Sequence, residues 1–156
     1  MENSINGLNK KNVEKVVGPL NELLSSYQMY YQNLRGYHWN IVGKAFFELH
    51  LKFEEYYNDA QIKIDEVAER ILTLEHTPLH SFSEYIKNSA VSPTENITDG
   101  EEAIHQIKIQ LQQLLAKQRE ILKLAEENED IATSDLMTQY ISQQEKTIWM
   151  LKSFLS

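Results

Sequence analysis

The chain has 156 residues, a formal net charge of −8 and no cysteine. That length suits one domain with a real core. The acidic balance argues against a globally basic nucleic-acid binder but leaves room for a local basic arm, and the missing thiols exclude disulfides and thiolate metal sites.

Residues 1–11 read as a short polar arm, mobile to about Asn9, and residues 12–156 as one helical domain. The opening MENSINGLNKK lacks the apolar stretch of a signal peptide. No run approaches the roughly 18 apolar residues of a membrane-spanning helix, so a cytoplasmic protein without a membrane partner is expected. Lys10, Lys11 and Lys15 form a small basic cluster diluted by Glu2 and Glu14. A solvated helix start is favoured there over a phosphate-binding arm.

The first helix is expected from Asn12 to Ile41. Val13, Val17, Leu20, Leu24, Tyr27, Tyr31 and Leu34 recur at helical spacing. Gly18 and Pro19 should kink or delay it, because proline lacks an N–H and clashes with the preceding turn. Tyr30, Tyr31 and Tyr37 read as packing residues.

The second helix, Ala45 to Leu74, carries the chemistry. Leu49, Phe53, Tyr56, Ala60, Ile64, Val67, Ile71 and Leu74 form its apolar stripe. With His50 at zero and about 100° per residue, that stripe centres near 275°, Asp65 falls near 60° and Glu69 near 100°. His50 and the two carboxylates therefore share a face that is not the core face. Asp65 lies fifteen residues beyond His50, about 22 Å along a straight helix. Metal ligands sit about 2 Å from their ion, so one helix cannot close this site. Two antiparallel copies crossing near Asn58 would bring His50 of one chain to Asp65 and Glu69 of the other, twice per dimer. His38, before the turn at Gly43, would fold back beside His50. Two imidazoles with two carboxylates suit iron, manganese or zinc. A third face of Glu48, Glu55, Asp59 and Glu66 reads as solvated surface or as the lining of an internal cavity.

Glu75 to Asp99 breaks the helical rhythm. Ser81 and Glu84 form a capping box for a short helix to about Asn88. So long a connection suggests a crossover along a four-helix bundle. A further helix is expected to start at Thr98 or Asp99, with Thr98 and Glu101 as a capping box, and to run to about Glu127, striped by Ile104, Ile107, Leu111, Leu114, Leu115, Ile121, Leu122 and Ala125. A turn follows through Asp135, with Thr133 expected to cap a last helix from Ser134 to Phe154. His76, His80 and His105 read as surface or interface residues.

The motifs HWN from His38, GKAFFELH from Gly43 to His50, DEVAER from Asp65 to Arg70 and the final IWMLKSFL resemble the Dps family of twelve-subunit miniferritins. The resemblance spans nearly the whole chain. It implies an all-α, ferritin-like four-helix bundle with a short helix in the crossover at a dimer interface. It also implies a homo-oligomer, a dodecameric hollow shell. His38, His50, Asp65 and Glu69 match the family's ferroxidase residues, shared between two subunits. Glu54 matches a further ligand that is commonly Asp. Trp39 matches a tryptophan beside the site that can intercept oxidising equivalents. Asp130 and Asp135 match residues of a threefold iron-entry pore. Glu102 and His105 have the spacing of a ferritin ligand pair, but that pair occurs once. The implied activity is oxidation of ferrous iron by hydrogen peroxide, with ferric iron stored in the shell and protection against oxidative stress; zinc or manganese could replace iron. Two rivals stand beside it: a DNA-binding, nucleoid-protecting protein whose ferroxidase activity is secondary, and a metal-free helical scaffold.

Overall fold

A computed structural model of the chain describes residues 2–156 and contains five helices. These are α1 (Lys10–Asn40), α2 (Phe46–Thr73), α3 (Phe82–Asn88), α4 (Gly100–Glu127) and α5 (Ile131–Phe154). Helices α1 and α2 form one hairpin and α4 and α5 another; α1 packs against α2, α4 and the short α3. The apolar stripes meet in one core that includes Val16, Leu20, Leu34, Phe53, Val67, Ile107 and Met137. The fold is the ferritin-like bundle expected from the sequence.

Helix α1 begins at Lys10, slightly ahead of the expected Asn12, and the proline does not delay it. Asn9 caps it through Asn12 N, so it starts before Pro19, and helical structure runs on through the proline. The Lys15 carbonyl that loses its donor lies in an exposed stretch, where water can serve it. The arm ahead of α1 is pinned. Asn6 donates to the Thr73 carbonyl at 2.7 Å, Lys10 pairs with Glu2 at 2.6 Å, and Ser4 is buried. Part of the basic cluster is thus neutralised within the chain.

The crossover is stitched to α1 by a row of polar side chains. Asn21 accepts from Leu79 N at 2.9 Å and Ser26 from Ala90 N at 2.9 Å; Asn33 donates to Ser92 O at 2.9 Å and accepts from Thr94 N at 3.1 Å. These bonds satisfy backbone groups that no helix can serve. At its end, Val42 N donates to Thr98 O at 2.9 Å, tying the α1–α2 turn to the start of α4. Gly43 in that turn has φ +113°, a conformation that favours glycine.

The α4–α5 corner is also corrected. Asp130, not Thr133, caps the last helix, which begins at Ile131. Both are good capping types, and the tertiary partner decides: Arg70 Nη2 reaches Asp130 at 2.6 Å while Arg70 Nε donates to Thr133 Oγ1 at 2.8 Å. Of the two acids matched to a pore, Asp130 is therefore buried and ion-paired, whereas Asp135 is exposed.

Candidate metal centre

The α1–α2 turn folds the end of one helix onto the start of the next and sets His38 against His50. Their rings stack with centroids 3.7 Å apart and planes 11° from parallel. Each bonds the other's backbone: His38 Nδ1 lies 2.6 Å from the His50 carbonyl, and His50 Nδ1 lies 2.7 Å from the His38 carbonyl. The local reason is helix termination. In the last turn of α1 the His38 carbonyl has no partner four residues on, because Val42 N is taken by Thr98. An imidazole N–H fills that vacancy.

Since a carbonyl can only accept, both Nδ1 atoms carry a proton, and in the neutral ring that tautomer leaves the lone pair on Nε2. Neither Nε2 has a protein partner and neither is sealed from solvent among the described residues. An imidazole oriented by a backbone carbonyl through one nitrogen, with the other nitrogen open, is the usual form of a metal-binding histidine. Phe46 stacks on the outer side of His50 at 4.9 Å, and the Tyr57 ring meets His38 edge-on at 5.3 Å. Glu54, one turn beyond His50 and half-buried, receives the Tyr57 hydroxyl at 3.4 Å. Burial first, and then the Glu54 carboxylate, push the Tyr57 phenol above its ordinary pKa.

Asp65 and Glu69 are exposed farther along α2, and no side-chain hydrogen bond or ion pair engages either carboxylate among the described residues. One chain thus pairs His38 with His50, carries Glu54 one turn farther along α2 beside Tyr57, and leaves Asp65 and Glu69 apart. Among the described residues no three potential ligands converge within the chain. Glu102 and His105 lie exposed on α4, and His80 is exposed in the crossover.

The face of α2 that bears these groups is unusual. Phe47 is 80 % exposed, Leu51 58 %, Ile62 60 % and Leu72 57 %. On the helical wheel they share a stripe with Glu54, Asn58, Asp65 and Glu69, all within an arc of roughly 80°. Apolar side chains exposed on a stripe with carboxylates give this face the composition of an interaction surface.

Sequence reasoning missed two groups that shape the site: Phe46, which stacks on His50, and Tyr57, which meets His38 edge-on. The spacings of four and seven residues around His50 were visible; what they touch was not.

A family model described as a ferritin-like domain matches residues 18–156, which sets the class. The chain is 43 % identical to the DNA protection during starvation protein of Porphyromonas gingivalis over 96 % of this chain and 94 % of that one. It superposes on a crystal structure of the Dps protein from Vibrio cholerae O1, described as one of the ferritin-like diiron-carboxylate proteins, with TM-score 0.98, 49 % identity and coverage of 100 % and 98 %. Dps from Listeria innocua, in a crystal soaked with zinc, matches with TM-score 0.87, 26 % identity and coverage of 90 % and 95 %. The chain belongs to the ferritin-like family, in its Dps branch. No helix among the described residues is long and apolar enough to cross a membrane.

Proposed function

We propose that the protein is a ferroxidase and iron store whose reaction site is completed by a second copy of the chain. The observation that supports this reading is the histidine pair: two oriented imidazoles, each with an open Nε2, and no third ligand group to join them within the chain. The stripe on α2 supplies what is missing. If two α2 helices cross antiparallel near Asn58, Phe47, Leu51, Ile62 and Leu72 are covered, and the His38–His50 pair faces the partner's Asp65 and Glu69. Twelve such subunits would close a hollow shell, the assembly implied by the family resemblance.

Ferrous iron is the substrate. His38 and His50 would bind it from one subunit, Asp65 and Glu69 from the other, and Glu54 would take part in binding a second ion. Carboxylates stabilise the ferric product more than imidazole does, so the mixed set favours electron loss. Hydrogen peroxide is the proposed oxidant: two ferrous ions give up one electron each, the O–O bond breaks, and two protons complete two waters. Pairing the ions at one site lets peroxide receive both electrons together, which limits release of hydroxyl radical and would protect the cell. Zinc and manganese fit the same donors and would compete.

Mixing two inactive variants tests both the chemistry and its location. One carries His38→Ala and His50→Ala, the other Asp65→Ala and Glu69→Ala. Alone, each should lose peroxide-driven ferrous oxidation. Subunits dissociated, mixed and reassembled should recover activity, because each mixed dimer regains one intact site of two. No recovery on mixing, with both variants assembled, would place the site within one chain; full activity of either variant alone would remove the ferroxidase reading.

A further inference from the structure

Helix α2 packs mainly against α1, and α5 against α4. Between the first half of α2 and the second half of α5 a cleft of roughly 450 Å³ runs into the bundle. Its walls are apolar, with Leu49, Phe53, Ile104, Leu111 and Leu151, and the half-exposed Met150 and Phe154 flank its mouth. Such a volume, apolar with a few polar groups, is that of a small-molecule site. The polar groups are phenols. Tyr30 and Tyr56 both line the cleft, and Tyr30 is only 4 % exposed. Neither hydroxyl has a hydrogen-bond partner among the described residues. Burial pushes both phenols above their ordinary pKa, so both keep their protons and remain donors. A buried O–H without an acceptor is costly, and no protein group supplies one here. The charges at the mouth cancel. Lys52 holds Glu55 at 2.6 Å and Lys63 holds Asp59 at 2.5 Å, which leaves one acid, Glu48, and one base, Lys146.

We infer that this cleft is a binding site for a small, neutral ring compound carrying carbonyl oxygens, of the quinone class. The ring packs among Phe53, Tyr30 and the aliphatic walls, where flat aromatic surface is best covered. A carbonyl oxygen accepts from the Tyr30 hydroxyl and satisfies the donor that the fold leaves over. Other chemistries match less of the cleft. A fatty acid would set its carboxylate against Glu48 as much as Lys146, and its tail would leave the Tyr30 hydroxyl without an acceptor. A plain hydrocarbon would leave that hydroxyl in the same state. The site is separate from the histidine pair. With His50 at zero on the helical wheel, Leu49, Lys52, Phe53 and Tyr56 fall between about 200° and 300°, away from the arc of Glu54, Asp65 and Glu69. The inference therefore does not depend on the ferroxidase reading, and a second α2 helix crossing near Asn58 on that other arc would leave the cleft open.

The test is equilibrium dialysis of the assembled full-length protein against menadione, a methylnaphthoquinone, and separately against methylnaphthalene, the same skeleton without carbonyls. The chain has no cysteine to trap the quinone as a thiol adduct. Saturable uptake of one menadione per chain is expected, with methylnaphthalene held several-fold more weakly. Tyr30→Phe keeps the ring and removes the donor. It should weaken menadione several-fold and leave methylnaphthalene unchanged. Met150→Trp, at the exposed mouth where a larger side chain does not disturb the core, should weaken both. Absence of saturable menadione uptake would overturn the site. So would menadione affinity that is the same in Tyr30→Phe, Met150→Trp and the unsubstituted protein. Equal affinity for the two compounds would overturn the assignment to carbonyl-bearing rings.

Discussion

Two polar clusters in this bundle use similar residue types to opposite ends. At the rim, His38 and His50 each satisfy one ring nitrogen on a backbone carbonyl and leave the other open. Inside, the polar atoms close on one another. Tyr27 and Gln118 are hydrogen-bonded, Gln118 Nε2 donates to Gln144 at 2.7 Å, and Gln144 Nε2 returns to the Tyr27 hydroxyl at 2.6 Å. Lys63, buried between α2 and α5, holds Asp59 at 2.5 Å and Gln143 at 2.6 Å. Burial alone does not separate the clusters, for His38 is buried too. Unused valence does. A polar group whose partners are all internal maintains the fold; one that is oriented on one side and open on the other is available for chemistry.

The contrast is sharpest if one substitution removes function with little loss of stability. His50→Ala should abolish most peroxide-driven ferrous oxidation. Its folding cost should be about 1 kcal/mol, the net value of the ring's bond to the His38 carbonyl. A comparable loss of thermal midpoint and activity would erase the distinction.

The converse substitution is Arg70→Ala. It would strand the buried Asp130 carboxylate and the Thr133 hydroxyl at the α4–α5 corner. Breaking a buried pair from one side costs about 3–5 kcal/mol. The thermal midpoint should fall strongly, while assembled protein well below that midpoint should still oxidise iron. Stability unchanged in Arg70→Ala would mean that the corner is held by packing alone.

How much of this could be read from residue order follows the same division. The helices were legible because their apolar residues repeat with the helical period, and the non-core placement of His50, Asp65 and Glu69 followed from the same arithmetic. Lys63 was not legible. On the wheel of α2 it falls between the apolar stripe and the acidic face, and nothing local shows that Gln143, eighty residues on, and the Tyr140 ring, 5.2 Å from its ammonium, receive it. The start of α5 was misread for a related reason, because Arg70 decides between two adequate caps from sixty residues away. At the histidines, the two residue types were visible, but their exchange of backbone bonds depends on how the Gly43 turn closes.

Alkaline pH probes the interior without mutation. Burial first, and then Glu55, push the Tyr56 phenol from its ordinary 10.0 up to about 12; burial raises Tyr27, Tyr30 and Tyr37 in the same direction. The unfolded chain then loses these protons before the folded one. Stability is intact below pH 10.0 and declines as pH rises through the Tyr56 value of about 12. The thermal midpoint should drop across that window, and Tyr56→Phe should make the descent shallower. An unchanged slope would mean that Tyr56 is as hydrated folded as unfolded.

The smallest effect belongs to the N-terminal clasp, which is neither oriented for chemistry nor buried for stability. Lys10 and Glu2 meet at the surface, with side chains 45 % and 79 % exposed. The Lys10 ammonium lowers the Glu2 pKa, first through the hydrogen bond and then through charge. Its contribution is therefore present above the ordinary carboxylate value of 4.5 and is lost as pH falls through the lowered one. Exposed pairs contribute little and are screened by salt. Glu2→Gln should leave the thermal midpoint and iron oxidation unchanged, yet speed hydrogen exchange at Ser4 and Gly7, whose amides donate to Leu8 O at 2.8 Å and Ser4 O at 3.0 Å. High salt should reproduce that change in the unsubstituted protein. If exchange at both amides stays slow in Glu2→Gln, the arm is held by the Asn6 bond to α2 and by burial of Ser4, and the ion pair only decorates it.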